Sequence, residues 1–219
     1  MGYEADGDEY NREMFFHESH VWHTYVIKLY GVCHVGERYF ACGYAGNGTL
    51  DAFLKCDDNS DKKWQKLYQV ALGLQCMHQL SIAHKDLKCA NILIETDGDA
   101  KITDAKQMGA AQRSCCSISV ASDVYAFGMY ILEAASGEPP WGALIDTAVR
   151  YHVRKGKLSL RYLEILLDSE RALIEMMCAS SASDRIKISS VIGKLEEFSN
   201  HEATETNMAH GLDPVGIAR

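Results

Sequence analysis

No run of about 18 uncharged apolar residues occurs in the 219-residue chain, and Met1 to Tyr10 is acidic and polar, with no basic start followed by an apolar stretch. Neither a membrane partner nor an export signal is expected, and the chain reads as cytoplasmic. No Cys-x-x-Cys pair occurs among the eight cysteines, and vicinal Cys115 and Cys116 lack zinc-ligand spacing, so thiols in a reducing compartment are expected. Basic charge is in short supply, with 22 Lys and Arg against 30 Asp and Glu and a net charge of -8. That balance argues against nucleic acid as a partner. Internal repeats are also absent. What is present, 47% hydrophobic and 24% charged residues, suffices for one ordinary core.

The first ordered pattern runs from Tyr25 to Tyr44, YVIKLYGVCHVGERYFACGY, where β-branched and aromatic residues flank a Val35-Gly36-Glu37 break and predict a two-stranded hairpin. From Trp64 to His78, Leu67, Val70, Ala71, Leu74 and Met77 fall at helical spacing and predict a helix with one apolar stripe. NILIE and AKIT around Thr96-Asp97-Gly98-Asp99 predict a second hairpin, because Asp-Gly is a strong short-turn signal. After Asp104 the pattern lapses into a loop. The segment from Asp123 to Ala135 is apolar almost all round, which predicts a helix buried at the centre, ended by Gly137 and Pro139-Pro140. Further helices are expected at about 143–155, 168–179 and 187–198, with 199–219 a loose tail. A few strands followed by a run of helices make an α+β chain with a mostly helical second half.

The most specific segment is His84-Lys85-Asp86-Leu87-Lys88-Cys89-Ala90-Asn91, which lies between the first long helix and the second hairpin. It resembles the catalytic loop of protein kinases, with Lys85 in place of the usual Arg. The resemblance implies Asp86 as the base that orients a hydroxyl nucleophile and Lys88 as the cation facing transferred phosphate. It implies Asn91 and Asp104 as ligands of Mg2+, a hard cation suited by their oxygens. Ser122-Asp123-Val124-Tyr125-Ala126-Phe127-Gly128 resembles the start of the family's buried central helix, where Asp123 would brace the catalytic loop. Lys88 in HKDLKCAN points to Ser/Thr specificity.

From about Phe15 to Phe198 the chain is similar to the tyrosine-kinase-like group of protein kinases. Glu18 matches the glutamate of helix C, and YFACGYAGNGTLDAFL resembles strand five, the hinge and the first helix of the large lobe. That places Cys42, Tyr44, Ala45 and Leu93 around an adenine ring and Asp51 at the ribose of ATP. Trp141 and Arg185 match later landmarks. The implied organisation is a remnant small lobe over 1–45, a large lobe over 46–198 and a tail over 199–219, acting on a protein substrate or docking partner.

Four departures set the functional expectation. No Gly-x-Gly-x-x-Gly occurs, and the first lysine is Lys28, so neither a phosphate-covering loop nor a strand-three Lys is seen before Glu18. The metal motif reads Asp104-Ala105-Lys106, which lacks the aromatic and the glycine and sets a cation beside the metal position. Only 18 residues separate Asp104 from Asp123, without Ala-Pro-Glu, so Arg185 loses its usual acid and must stay solvated or find another. Gly43 stands where the hinge usually has Glu, a tolerable change because hinge contacts to adenine use backbone. Impaired phosphoryl transfer is expected, with a non-catalytic scaffold or an incomplete chain from an active kinase as the alternatives.

Overall fold

The computed structural model describes residues 22–33, 39–103, 120–156 and 166–209. The helix expected around Glu18, the turn at Val35-Gly36-Glu37 and the stretch Asp104 to Ser119 lie outside those residues. Strands β1 (Leu29–Cys33) and β2 (Tyr39–Cys42) pair antiparallel, as the β-branched and aromatic pattern requires. Helix α1 (Leu50–Leu54) and a 3-10 segment (Asp57–Lys62) lead into helix α2 (Lys63–Gln79). All five residues of the expected stripe on α2, Leu67, Val70, Ala71, Leu74 and Met77, are fully buried.

The second hairpin is β3 (Ile92–Ile94) and β4 (Ala100–Ile102), closed by Gly98 N–H to Glu95 O at 3.0 Å, with Gly98 at φ 90°. That left-handed backbone is the reason the Asp-Gly pair marks the turn. Gln69 on α2 fastens the hairpin to the helix: its Nε2 donates to Asp99 Oδ1 at 2.6 Å and its Oε1 accepts from Ala100 N at 3.0 Å. Segment Tyr25 to Ile27 adds to the far side of β4, with Ile102 N–H to Tyr25 O at 3.0 Å and Ile27 N–H to Ile102 O at 2.9 Å. Gly73 permits this packing, since a Cβ there would meet the Tyr25 carbonyl oxygen at 2.6 Å.

Helix α3 (Val120–Ser136) runs through the core, with Phe127, Tyr130, Ile131 and Leu132 no more than 1% exposed, as a helix without a polar face demands. Helices α4 (Asp146–Arg154), α5 (Asp168–Met177) and α6 (Ile188–Ala209) complete the described chain. No helix among the described residues is long and apolar enough to cross a membrane.

The expected loose tail from Ser199 is corrected over its first part, because α6 continues to Ala209. The cause is a tertiary contact. Lys62 gives α2 no side-chain cap, and Glu202 supplies it instead, its two oxygens accepting the N–H groups of Trp64 and Gln65 at 3.1 Å each. Phe198 packs edge-to-face on Trp64 at 5.0 Å between centroids.

Lys66 on α2 is 5% exposed, and desolvation lowers its pKa while Asp99 pulls the other way. A lowered folded-state pKa means that the cation is penalised in the native chain. Lys66→Met should therefore match or exceed wild-type stability near neutral pH. Wild type should gain on the variant as pH climbs toward the ordinary lysine range of about 10.4, because the unfolded chain then holds the extra proton. Urea unfolding of both proteins across that range is the check, and a variant clearly weaker at neutral pH would contradict it.

Candidate active site

The turn between α2 and β3 is held from beneath by one carboxylate. Asp123, in the first turn of α3 and 1% exposed, accepts His84 N–H at Oδ2 and Lys85 N–H at Oδ1, both at 2.8 Å. His78, in the last turn of α2, adds its Nε2 to Oδ2 at 2.9 Å. Taking two successive amides requires a sharp turn, and Lys85 sits in the left-handed region at φ 70°. Such a backbone costs about 1–3 kcal/mol and persists where surrounding bonds over-determine it.

His84 is fully buried, and its partners fix its tautomer. Nε2 faces the Thr103 carbonyl at 2.9 Å, which only accepts, so Nε2 carries the hydrogen; Nδ1 accepts Asp86 N–H at 3.3 Å. The neutral ring thus ties the loop to the end of β4 and orients the backbone of Asp86. A second acid of α3, Glu133, accepts Cys89 N–H at 3.4 Å. Cys89 is 1% exposed, and burial, reinforced by Glu133, pushes its thiol far above the usual range, so it packs rather than reacts.

Above this base Asp86, Lys88 and Asn91 come together. Lys88 Nζ lies 2.8 Å from Asp86 Oδ2, and Asn91 Nδ2 donates to the Asp86 carbonyl at 2.7 Å and to Oδ2 at 3.1 Å. Asp86 and Lys88 remain accessible while Asn91 is 4% exposed. With both amide contacts made through nitrogen, Asn91 Oδ1 has no partner among the described residues and stays available to a hard cation. Asp104 lies outside the described residues. No group of three or more His, Cys, Asp or Glu among the described residues could hold a metal ion.

The residues expected around a nucleotide are strung along one connection. From Cys42, at the end of β2, the chain passes exposed Tyr44 and half-buried Ala45 and then docks on β3, with Asn47 N–H to Ile94 O at 3.1 Å and Ile94 N–H to Gly48 O at 2.8 Å. Thr49 bridges to Leu93, and its hydroxyl donates to Asp51 Oδ1 at 2.6 Å. That hydroxyl is the main cause of a lowered Asp51 pKa, with Lys55 helping. Leu93 and Asp51 are thereby neighbours. Tyr44, 83% exposed, walls off no space with its side chain.

Arg185 meets no acid among the described residues and is half-buried rather than left to solvent. Its Nε donates to Ala179 O at 2.9 Å, its Nη1 donates to Ala121 O at 2.8 Å, and the guanidinium lies 5.1 Å from the Tyr125 ring centroid. Backbone carbonyls and an aromatic face substitute for a carboxylate. Trp141 stacks on His152 at 5.9 Å. Sequence reasoning missed His78 and Glu133, each of which acts on a residue more than 40 positions away.

A groove of about 1080 Å³ lies elsewhere, between the start of α2 and α6, and none of residues 84–91 lines it. The convergence of Asp86, Lys88 and Asn91, rather than volume, marks the candidate active site.

The family model for the protein kinase domain matches residues 3–115. A probable LRR receptor-like serine/threonine-protein kinase of Arabidopsis thaliana is 29% identical over 91% of this chain and 19% of that protein. A cysteine-rich receptor-like protein kinase of Oryza sativa subsp. japonica is 32% identical over 56% of this chain and 22% of its own length. The 3-phosphoinositide-dependent protein kinase 1 of Mus musculus is 27% identical over 75% of this chain and 34% of its own. The chain spans 19% to 34% of the length of these relatives.

Proposed function

Because the chain belongs to the protein kinase family, we infer that Asp86, Lys88 and Asn91 form a Ser/Thr phosphoryl-transfer site of the tyrosine-kinase-like type, and that transfer at this site is impaired. The carrying observation is the hydrogen-bonded cluster of those three residues on a loop braced by Asp123. Residues 46–198 then act as the large lobe, residues before 46 belong to the small one, and a protein substrate meets the site from solvent.

ATP with Mg2+, which the family uses, would supply the phosphoryl group. Within the chain, backbone at Cys42 to Ala45 with Leu93 would hold the adenine, Asp51 the ribose, and Asn91 Oδ1 with Asp104 the metal. Lys88 fixes the carboxylate of Asp86, which accepts the proton of the substrate hydroxyl, and its ammonium offsets negative charge arriving beside it. Impairment rests on Asp104-Ala105-Lys106: the alanine removes an aromatic anchor, and the lysine repels a divalent cation at the neighbouring position.

The test is turnover with ATP, Mg2+ and a generic protein substrate, with Asp86→Ala as the control. Ordinary kinases turn over at about 1–100 per second; here a rate at least ~100-fold lower is expected, abolished by the control and raised by Ala105→Phe with Lys106→Gly. An ordinary rate lost on Asp86→Ala would remove the impairment and keep the site. A rate indifferent to Asp86→Ala would remove the site.

A further inference from the structure

Helix α4 has a solvent-facing stripe unlike the rest of this acidic chain. Thr147, Arg150, Tyr151 and Arg154, at helical spacing, are exposed, while Ala148, Val149, His152 and Val153 are half-buried. Tyr151 is 59% exposed and Ile145, just before the helix, 71%. Neither Arg150 nor Arg154 has an ion-pair partner among the described residues, although the chain holds 30 acidic side chains. α4 makes no extensive contact with another described element.

The groove between α2 and α6 has the opposite character. Its floor is the edge-to-face pair Trp64 and Phe198, and its rim carries Leu167, 64% exposed. Asp61, Glu197 and Glu205 add carboxylates; Glu197 meets Lys194 at 2.9 Å and Glu205 meets His201 at 3.6 Å, both exposed pairs of the kind worth at most about 1 kcal/mol, and Lys63 lies 4.8 Å from the Trp64 ring centroid. Glu202 is engaged in capping α2. The groove therefore offers half-buried Phe198 over buried Trp64, between acids of which two are held only by exposed pairs, and the α4 stripe offers an aromatic and an aliphatic side chain between arginines.

We propose that the α4 stripe of one copy of this chain docks in the groove of a second copy, with Tyr151 and Ile145 on the apolar floor and Arg150 and Arg154 against Glu197, Glu205 and Asp61. Charge complementarity is the argument for a second copy, since each chain carries both halves of the contact. A reciprocal contact closes a two-fold dimer, and a one-way contact gives open chains. Either form is independent of whether the chain transfers phosphate.

The experiment is sedimentation velocity on the purified chain at tens of micromolar. In low salt the mass should exceed the 24.4 kDa of one chain, and it should return to that value in about 1 M salt, where the Debye length is about 3 Å. Arg150→Glu with Arg154→Glu, and separately Glu197→Arg with Glu205→Arg, should each weaken self-association at least ~10-fold, a loss of about 1.4 kcal/mol. Mixing the two variants should restore it, because each reversed stripe then meets a groove of opposite sign. Tyr151→Ser, which leaves every charge in place, should weaken it too. Circular dichroism verifies that each variant is folded, and all five substituted positions are exposed. A single-chain mass in low salt, association unchanged in either charge variant, or a mixture that stays monomeric would overturn the proposal. So would a monomeric chain whose groove binds an arginine-rich peptide, which would assign the groove to another protein.

Discussion

Asp123→Ala lowers the stability of the chain by about 3–5 kcal/mol, a large share of the 5–15 kcal/mol typical of a folded domain. The wild-type carboxylate, 1% exposed, satisfies the amides of His84 and Lys85 and the ring of His78, and alanine leaves all three donors without an acceptor in a site closed to water. Each orphaned buried donor costs about 1–3 kcal/mol, and the three losses overlap because one local rearrangement can relieve more than one of them. The left-handed backbone at Lys85 would also relax once its second amide loses its anchor. Asp123→Asn should fall between, since one amide oxygen can still accept while the NH2 confronts a donor. Denaturant unfolding measures the loss, and hydrogen exchange locates it at the amides of His84 and Lys85. A loss under about 1 kcal/mol would mean that the loop His84 to Asn91 holds itself without α3.

What the sequence could disclose depended on how local the cause was. α2 and α3 were legible because burial is written into spacing: the five stripe residues of α2 are all fully buried, and α3 had no polar face to turn outward. The second hairpin was legible because Asp97-Gly98 sets its turn within four residues. The convergence of Asp86, Lys88 and Asn91 was legible for the same reason, since the three lie within six consecutive positions. His78 and Glu133 were not, because each acts on a partner tens of residues away and neither belongs to a motif. Arg185 was misjudged because a carboxylate was sought where two backbone carbonyls and a tyrosine face suffice. The end of α6 failed most plainly. Ser199 to Ala209 shows no apolar period, and its helix is fixed by an interaction that spans 138 residues.

A chain ending at Phe198 should lose about 2–4 kcal/mol relative to one ending at Arg219, contrary to what a loose tail would give. Two effects add. The first turn of α2 loses its cap, because Lys62 provides none and the two bonds from Trp64 and Gln65 to Glu202 are gone. Phe198, left as the last residue, loses the helical turns that follow it and hold it edge-to-face on Trp64. The two contributions can be separated with Glu202→Ala and Glu202→Gln in the full chain. Burial is the largest influence on Glu202 and raises its pKa despite two amide donors, so its ionised form is penalised by folding. A raised folded-state pKa contributes stability that is present at low pH and lost as pH rises through it. Glu202→Gln, neutral throughout, should therefore approach or exceed wild type at pH 7 and fall behind it as pH drops toward the carboxylate range of about 4.3. Glu202→Ala should be weaker than Glu202→Gln at every pH, because alanine accepts no bond from α2. Thermal unfolding of the four proteins at two pH values gives the answer, with each kcal/mol worth about 2–4 °C in a chain of this size. Equal melting temperatures for the shortened and full chains would show that α2 keeps its first turn without the second half of α6.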